Sequence, residues 1–288
     1  MNSVDAQAAY AVIGNPIAHS RSPQIHLAFG AQLGIELRYE KLLAPEAEFE
    51  AVVQTFASQG GRGLNVTLPF KERALALAAR ASERAQLAGA ANTLVFSADG
   101  IAADNTDGVG LVTDLQQRWQ QTLRGAEVIL LGAGGAARGV VLPLMQAGVG
   151  SLLVTNRTPA RAEALVATLA QRPEAASCRL AALPLAALAD WSAPASGAAP
   201  RILINATATG LSDARMALAP ALFADAALAY DMVYASSATE FMRQAQANGC
   251  ARAVDGLGML VEQAAESFQI WHGQRPQTDP VYSLLRSA

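Results

Sequence analysis

Short apolar runs alternate with stretches of helical period along most of the chain, the pattern of an α/β protein with a largely parallel sheet. Tyr10–Gly14 and Gly63–Thr67 read as buried strands. Asn92–Ser97 and Ile101–Asn105 read as a hairpin about the Asp99-Gly100 turn. Ser22 reads as an N-cap with Pro23 at the first helical position and Gly34 closing that helix. Pro69 punctuates the entry to a helix beginning near Lys71, and Val109, Leu111, Val112 and Leu115 give helical spacing from Asp107 to about Gln120. A second set opens with the continuous apolar strand Glu127–Leu131, followed by strands at Ser151–Thr155, Arg201–Asn205 and Leu228–Asp231 with helices between them. The last long helix, from about Gly258 to His272, carries Leu260, Ala264, Phe268 and Trp271 on one face. It is expected to pack back on the first set of strands, which makes that domain discontinuous. The Ala/Pro/Ser-rich stretch from Ala193 to Pro200 reads as a surface loop.

Composition narrows the function. The 288 residues are 52% hydrophobic and 16% charged, which excludes a disordered chain. A net charge of −3 argues against a nucleic-acid binder. The N-terminus lacks the basic and apolar regions of a signal peptide, and the uncharged stretch from Gly139 to Asn156 is broken by Gly139, Pro143, Gln146, Gly148, Gly150 and Ser151. It reads as helix, turn and strand, so a soluble cytoplasmic protein with no membrane partner is expected. Two cysteines, Cys178 and Cys250, three histidines and no C-x-x-C or H-E-x-x-H give no expectation of a metal site.

The strand ending at Leu131 runs into Gly132-Ala133-Gly134-Gly135-Ala136-Ala137, a G-x-G-x-x-A turn between strand and helix. The first glycine permits the tight turn and the second lets backbone N–H groups approach a pyrophosphate. The small last position lets helix and strand pack closely, with the helix dipole facing the anion. An NAD-binding unit places Asp or Glu at the end of the following strand. This chain has Asn156-Arg157-Thr158-Pro159-Ala160-Arg161 instead. Two arginines suit a ribose 2′-phosphate, and cations at a helix start are otherwise mildly unfavourable. NADP(H) is therefore the expected cofactor, and hydride transfer the default reaction.

No tyrosine has lysine four residues later, so the Y-x-x-x-K route of short-chain dehydrogenases is closed, and the ligand shortage disfavours a zinc alcohol dehydrogenase. What remains is polar punctuation at strand ends of the first domain: His19-Ser20-Arg21-Ser22, Asn65-Val-Thr67-Leu-Pro-Phe-Lys71, Asn92-Thr93 and Asn105-Thr106-Asp107. Strand ends are where open α/β sheets bind ligands. Ser20, Asn65 and Asn92 also suit plain caps or turns, and Lys71 a plain surface role.

Together these segments carry a resemblance. Gly14-Asn-Pro-Ile-Ala-His-Ser20-Arg-Ser22-Pro23, Asn65-Val-Thr67-Leu-Pro-Phe-Lys71, Gly89-Ala-Ala-Asn92-Thr93, Asp104-Asn-Thr-Asp107-Gly108, Gly132-Ala-Gly-Gly-Ala-Ala-Arg138-Gly139, Asn156-Arg157-Thr158 and Asp255-Gly-Leu-Gly-Met-Leu-Val-Glu-Gln263 resemble the shikimate dehydrogenases, in that family's order and over nearly the whole chain. The resemblance implies an NADP-dependent reduction of 3-dehydroshikimate to shikimate on the route to chorismate and the aromatic amino acids. It implies an α/β fold of two domains with the active site in the cleft between them. A substrate domain would span 1–106, completed by 256–288, and a Rossmann-type NADP-binding domain would span 107–255. It further implies that Lys71 and Asp107 form the catalytic pair, that Ser20 and Ser22 bind the substrate carboxylate with help from Tyr234, and that Asn65, Thr67, Asn92 and Gln263 address the ring hydroxyls. Gly132, Ala133, Gly134, Gly135, Ala136, Asn156, Arg157, Thr158 and Arg161 would hold the cofactor, with Met232, Gly256 and Met259 lining its nicotinamide site.

The chemistry agrees with those roles: hydride arriving at a carbonyl leaves an alkoxide, which a fixed ammonium stabilises and protonates. The chain departs from the family at Leu27, where a polar residue is usual, at Tyr234-Ala-Ser-Ser, which lacks a common proline, and at Ala208, which replaces a frequent serine. The expected partner is a small-molecule substrate, and the expected assembly a monomer or homodimer. A quinate/shikimate dehydrogenase with NAD use or a broader substrate range, and a non-catalytic NADP sensor, are the alternatives.

Overall fold

A computed structural model describes residues 8–190, 199–207 and 216–287. The chain forms two compact units, Met1–Gly110 with Leu260–Ala288, and Leu111–Met259. Of the expected 193–200 loop only the last two residues are among the described ones, and Ala208 lies outside them.

The first unit is built on strands β1 (Ala8–Gly14), β2 (Leu37–Leu43), β3 (Gly61–Val66), β4 (Arg80–Ala81), β5 (Thr93–Ser97) and β6 (Gly100–Asp104) in the order β2-β1-β3-β5-β6-β4. β1 pairs in parallel with β2 and β3, and β4 with β6, while β5 runs antiparallel to β3 and β6. The sheet is thus mixed, with the predicted hairpin supplying its antiparallel strand. Its helices are α1 (Ser22–Leu33), α2 (Phe49–Ser58), α3 (Lys71–Ala76), α4 (Glu83–Ala88) and the first part of α5 (Asp107–Thr113).

The second unit holds β7 (Glu127–Leu131), β8 (Ser151–Asn156), β9 (Arg179–Pro184), β10 (Arg201–Asn205), β11 (Ala226–Asp231) and β12 (Ala253–Val254). Their order, β12-β11-β10-β7-β8-β9, is parallel throughout, the doubly wound arrangement in which ligands bind beyond the strand ends where the order reverses. Its helices are α6 (Gly135–Gln146), α7 (Pro159–Leu169), α8 (Pro220–Ala224) and α9 (Glu240–Ala247); α10 (Leu257–His272) and α11 (Asp279–Arg286) end the chain.

Alternation in β1 explains how the first core divides. Ala9, Ala11 and Ile13 join Phe49, Val53, Phe56, Leu64 and Phe70 on one side. Tyr10 turns to the other side and meets Trp271 of α10, ring centroids 4.7 Å apart. Trp271 Nε1 donates to the Leu94 carbonyl at 3.0 Å, so α10 does pack on the first sheet, as expected. Its burial is wider than the predicted stripe, since Val261, Ala265 and Ser267 are fully buried beside Ala264 and Phe268. In the second unit Val128, Ile129, Leu130 and Leu131 are all fully buried, as a strand covered on both faces requires.

Three local expectations change. Ser22 is the first residue of α1 and Arg21 occupies the cap position. The reason is local: Ser20 Oγ accepts the Ser22 N–H at 3.3 Å and lies 3.2 Å from Ser22 Oγ, so the Ser22 hydroxyl is engaged away from the helix. The helix from Asp107 leaves α geometry after Thr113 for a π turn, Asp114–Arg118, where the buried Asp114 side chain is held by Trp119 and Tyr230. Strands β2 and β9 escaped the sequence reading, because their charged and half-exposed residues (Arg38, Glu40, Lys41, Arg179) break the apolar run expected of a covered strand. No described helix is long and apolar enough to cross a membrane; Gly139–Asn156 divides among α6, a turn and β8.

Candidate active site

Lys71 opens α3 after the Pro69 turn, and Asp107 opens α5. Sheet pairing brings these helix starts together: the Ala91 N–H donates to the Lys71 carbonyl at 2.8 Å, and Lys71 Nζ donates to Asp107 Oδ2 at 2.6 Å. The lysine side chain is 27% exposed and the carboxylate 10%, so the ammonium keeps one open side. Asn92 Nδ2 donates to Asp107 Oδ1 at 2.8 Å, and Asn92 Oδ1 accepts the Thr106 N–H at 2.9 Å. A backbone N–H is an obligate donor, so it fixes which way the Asn92 amide faces. The two carboxylate oxygens of Asp107 therefore have separate partners, a geometry that holds the ammonium in one place.

The remaining first-unit residues extend this network. Asn65 Oδ1 accepts the Tyr39 hydroxyl at 2.7 Å, and its Nδ2 lies 3.0 Å from Ser267 Oγ. Gln263 Oε1 lies 3.2 Å from Asn92 Nδ2, and Gln263 Nε2 donates to the Leu260 carbonyl at 2.8 Å. Ser22 is buried and Ser20 half-buried at the start of α1, and Thr67 is half-buried just past β3. His26 lies among them, fully buried and stacked on Tyr39 with ring centroids 4.4 Å apart and planes 6° apart. Burial, with a smaller push from His272, lowers the His26 pKa to about 3; burial likewise raises the Tyr39 phenol well above its ordinary value. At neutral pH both rings are uncharged.

In the second unit the predicted phosphate turn has the expected backbone. Gly132 has φ +110°, and a side-chain carbon there would lie 3.1 Å from the Ala206 carbonyl oxygen, a conformation suited to glycine. No described atom lies within 4 Å of where such a carbon would stand on Gly134 or Gly135. Gly134, Gly135 and Ala136 are exposed, whereas Ala133 and Ala137 are buried. The first turn of α6 has no acidic residue and no capping side chain, leaving its N–H groups for an anion. Asn156 turns its Nδ2 onto the Thr158 carbonyl at 3.0 Å, and Arg157, Thr158 and Arg161 are exposed at the same strand end. These residues fit a phosphorylated dinucleotide.

Further along, the Met232 N–H donates to the Asn205 carbonyl, and the Gly256 N–H to the Val233 carbonyl. Any side chain at Gly256 would collide with the Met232 carbonyl. Met259 is buried and its N–H donates to the Tyr230 hydroxyl at 3.1 Å, which itself donates to Asp114 Oδ2 at 2.8 Å. Tyr234 is 37% exposed. Sequence reasoning quoted Thr93 and Thr106 without giving them a role and missed Tyr39, Asp114, Tyr230 and Ser267. The available signal was periodic: Ser267 follows Gln263 by four residues, so the two share a helix face.

Comparison with known proteins places these halves in one context. Residues 12–94 match the family described as the shikimate dehydrogenase substrate binding domain. Residues 114–238 match shikimate / quinate 5-dehydrogenase, and residues 256–286 the shikimate 5′-dehydrogenase C-terminal domain. A shikimate dehydrogenase (NADP(+)) of Bordetella petrii is 52% identical over 282 residues, covering 96% of this chain and 95% of that protein. Among solved structures, an Ael1 enzyme from Pseudomonas putida superposes with a TM-score of 0.89 at 44% identity, covering 97% of this chain and 98% of that one. A shikimate 5-dehydrogenase from Thermus thermophilus in complex with NADP(H) and shikimate superposes at 0.83, with 34% identity and 98% and 99% coverage.

Proposed function

The chain belongs to the shikimate dehydrogenase family, and from that membership we propose how its own residues carry the family's reaction. The reaction is the reversible, NADP-dependent reduction of 3-dehydroshikimate to shikimate, a step toward chorismate and the aromatic amino acids. The bound dinucleotide supplies or takes up the hydride. Everything else falls to the protein.

Lys71 and Asp107 are the proton-transfer pair, and their 2.6 Å contact is the observation that carries the proposal. In reduction the substrate C3 carbonyl oxygen gains an electron pair as hydride reaches the carbon. The Lys71 ammonium stabilises that developing alkoxide and gives it a proton; in oxidation the same nitrogen receives the hydroxyl proton. Asp107 keeps the amine aimed, and Asn92 keeps Asp107 aimed. Ser20 and Ser22, adjacent by 3.2 Å between hydroxyls, hold the substrate carboxylate, with Tyr234 as a further donor. Asn65, Thr67, Asn92 and Gln263 hydrogen-bond the ring hydroxyls.

On the second unit the backbone of Gly132, Ala133, Gly134, Gly135 and Ala136 holds the pyrophosphate, where free N–H groups and the helix dipole favour an anion. Asn156, Arg157, Thr158 and Arg161 take the ribose 2′-phosphate. Met232, Gly256 and Met259 line the nicotinamide side, where the missing side chain at Gly256 lets its backbone pack against the Met232 carbonyl.

Absorbance at 340 nm with shikimate and NADP+ tests the proposal. A steady rise that is weak with quinate and weak with NAD+ is the expected result. Equal or faster turnover with quinate and NAD+ supports the broader quinate/shikimate reading instead. Cofactor binding with no turnover on either acid overturns catalysis altogether.

A further inference from the structure

In the first unit, hydrogen bonds from β3, β5, the turn before α5 and α10 itself converge on one fully buried hydroxyl, that of Ser267 in α10. Its Oγ lies 3.0 Å from Asn65 Nδ2, 2.8 Å from Thr93 Oγ1, 3.2 Å from Thr106 Oγ1 and 3.1 Å from the Gln263 carbonyl oxygen. Buried serines within helices usually bond back to the carbonyl four residues earlier and need no other partner. Ser267 makes that bond, and the additional three contacts call for a different account.

Donor counting gives the network a direction. A hydroxyl has one proton to donate and two lone pairs to offer. The Gln263 carbonyl only accepts, so it takes the Ser267 proton; the Asn65 amide nitrogen only donates, so it fills one lone pair. The other lone pair receives one threonine hydroxyl. The remaining threonine then donates to Asn92 Oδ1, which lies 2.9 Å from Thr93 Oγ1 and 3.1 Å from Thr106 Oγ1. Tyr39 donating to Asn65 Oδ1 fixes the far end, and the Thr106 N–H on Asn92 Oδ1 fixes the near one. Asn92 is thereby left with its Nδ2 on Asp107.

We propose that Ser267 is a positioning residue for the reaction, whose hydroxyl gives the Asn65 amide its shortest acceptor and, through the threonine hydroxyls, braces the Asn92 amide that the Thr106 N–H orients, and so steadies the substrate pocket that ends at Asp107 and Lys71. It touches no reacting atom and acts through its neighbours. The proposal rests on the reading that Asn65 and Asn92 address the substrate ring. Without the hydroxyl, the Asn65 amide loses its 3.0 Å acceptor and is left with the longer contacts to the Asn92 carbonyl at 3.3 Å and Thr93 Oγ1 at 3.4 Å. Buried donors deprived of a good partner re-aim or stay unpaired, either of which is costly.

Ser267→Ala and Ser267→Cys test this in the full-length enzyme. Activity of the unmodified enzyme with shikimate and NADP+ is the control: its absence defeats the functional reading, independently of Ser267. Given that activity, Ser267→Ala should raise the shikimate KM about tenfold, the scale of one re-aimed buried hydrogen bond, while the KM for NADP+ stays within about twofold. Ser267→Cys, which keeps a weak donor and acceptor in the same place, should recover part of the loss. An unchanged shikimate KM in the alanine variant overturns the proposal. So does an equal rise in both KM values, or a lowered melting temperature with kinetics intact, since each marks a merely structural serine. Should the alanine variant fail to fold, the cysteine variant carries the same test: a shikimate KM equal to that of the unmodified enzyme overturns the assignment.

Discussion

The two units prepare for their ligands by different means. In the first, the candidate site is made of side chains: Asn65, Asn92, Thr93, Thr106, Asp107 and Ser267 are buried and cross-bonded, and they leave Lys71 partly open. In the second, the phosphate turn is mostly backbone: Gly132 at φ +110°, open space above Gly134 and Gly135, and an uncapped helix start. A small polyhydroxylated acid differs from its rivals in the placement of single hydroxyls, and hydrogen bonds from fixed amides can read such differences. A pyrophosphate is a large, diffuse anion for which N–H groups and a helix dipole suffice. The contrast predicts that first-unit changes act through individual polar groups, and second-unit changes through chain geometry or one cationic edge.

The largest effect should come from the ammonium. On the proposed mechanism Lys71→Ala removes the charge that meets the developing alkoxide, and losing one such group costs roughly 3–5 kcal/mol of transition-state stabilisation. Steady-state kinetics should show kcat falling by hundreds-fold or more with substrate KM changed little. An unchanged kcat would remove Lys71 from proton transfer.

Next comes the cost of burying an uncharged imidazole among the rings of Phe29, Tyr39, Phe268 and Trp271. His26 has a folded pKa of about 3 against an ordinary value of 6.5. Between those values the unfolded chain binds a proton that the folded chain refuses. Stability is therefore full above about pH 6.5 and falls as pH drops toward 3, by up to about 1.4 kcal/mol per pH unit. His272, also lowered by burial, adds to the slope with the same sign. Urea midpoints measured at several pH values should fall more steeply for the unmodified protein than for His26→Phe. Parallel slopes would show that the acid sensitivity arises elsewhere.

A backbone change should dominate in the second unit. Gly132→Ala places a side-chain carbon 3.1 Å from the Ala206 carbonyl oxygen at positive φ, and such strain costs about 1–3 kcal/mol. The melting temperature should drop and NADP+ binding should weaken together. If neither moves, the turn is not specified by its glycine.

That same contrast decides what the sequence disclosed. The phosphate turn was legible because its cause is local: a strand, glycines at set positions and a helix lie within a few residues of one another. Lys71 and Asp107 were visible only as separate polar positions until the family resemblance joined them. Their contact depends on β3, β5 and β6 bringing two helix starts together. Ser267, Tyr39 and Asp114 were less legible still. A serine in an apolar helix face, a tyrosine in a half-charged strand and an aspartate in a helix each have an ordinary local reading. Only partners more than 20 residues away, such as Asn65 for Tyr39 and Ser267, or Tyr230 for Asp114, give them a role. Strand β2 was missed on similar grounds: Arg38, Glu40 and Lys41 hide a strand whose alternate residues Leu37 and Tyr39 are buried.

The smallest and most selective effect should come from Arg157. Its guanidinium is exposed at the end of β8, where an NAD-binding unit would carry an acid. Among the described residues it makes no ion pair, so its removal should leave stability unchanged. A charge-assisted hydrogen bond to a phosphate is worth about 1.5–3 kcal/mol, so Arg157→Ala should raise the KM for NADP+ about tenfold or more. The KM for NAD+, which lacks the 2′-phosphate, should stay put. Arg161, one turn further along and equally exposed, keeps part of the preference, so the double variant should approach indifference between the cofactors. Equal losses for both cofactors in Arg157→Ala would place the arginine on the pyrophosphate or adenine instead, and the second unit would then recognise its ligand without reading the ribose at that edge.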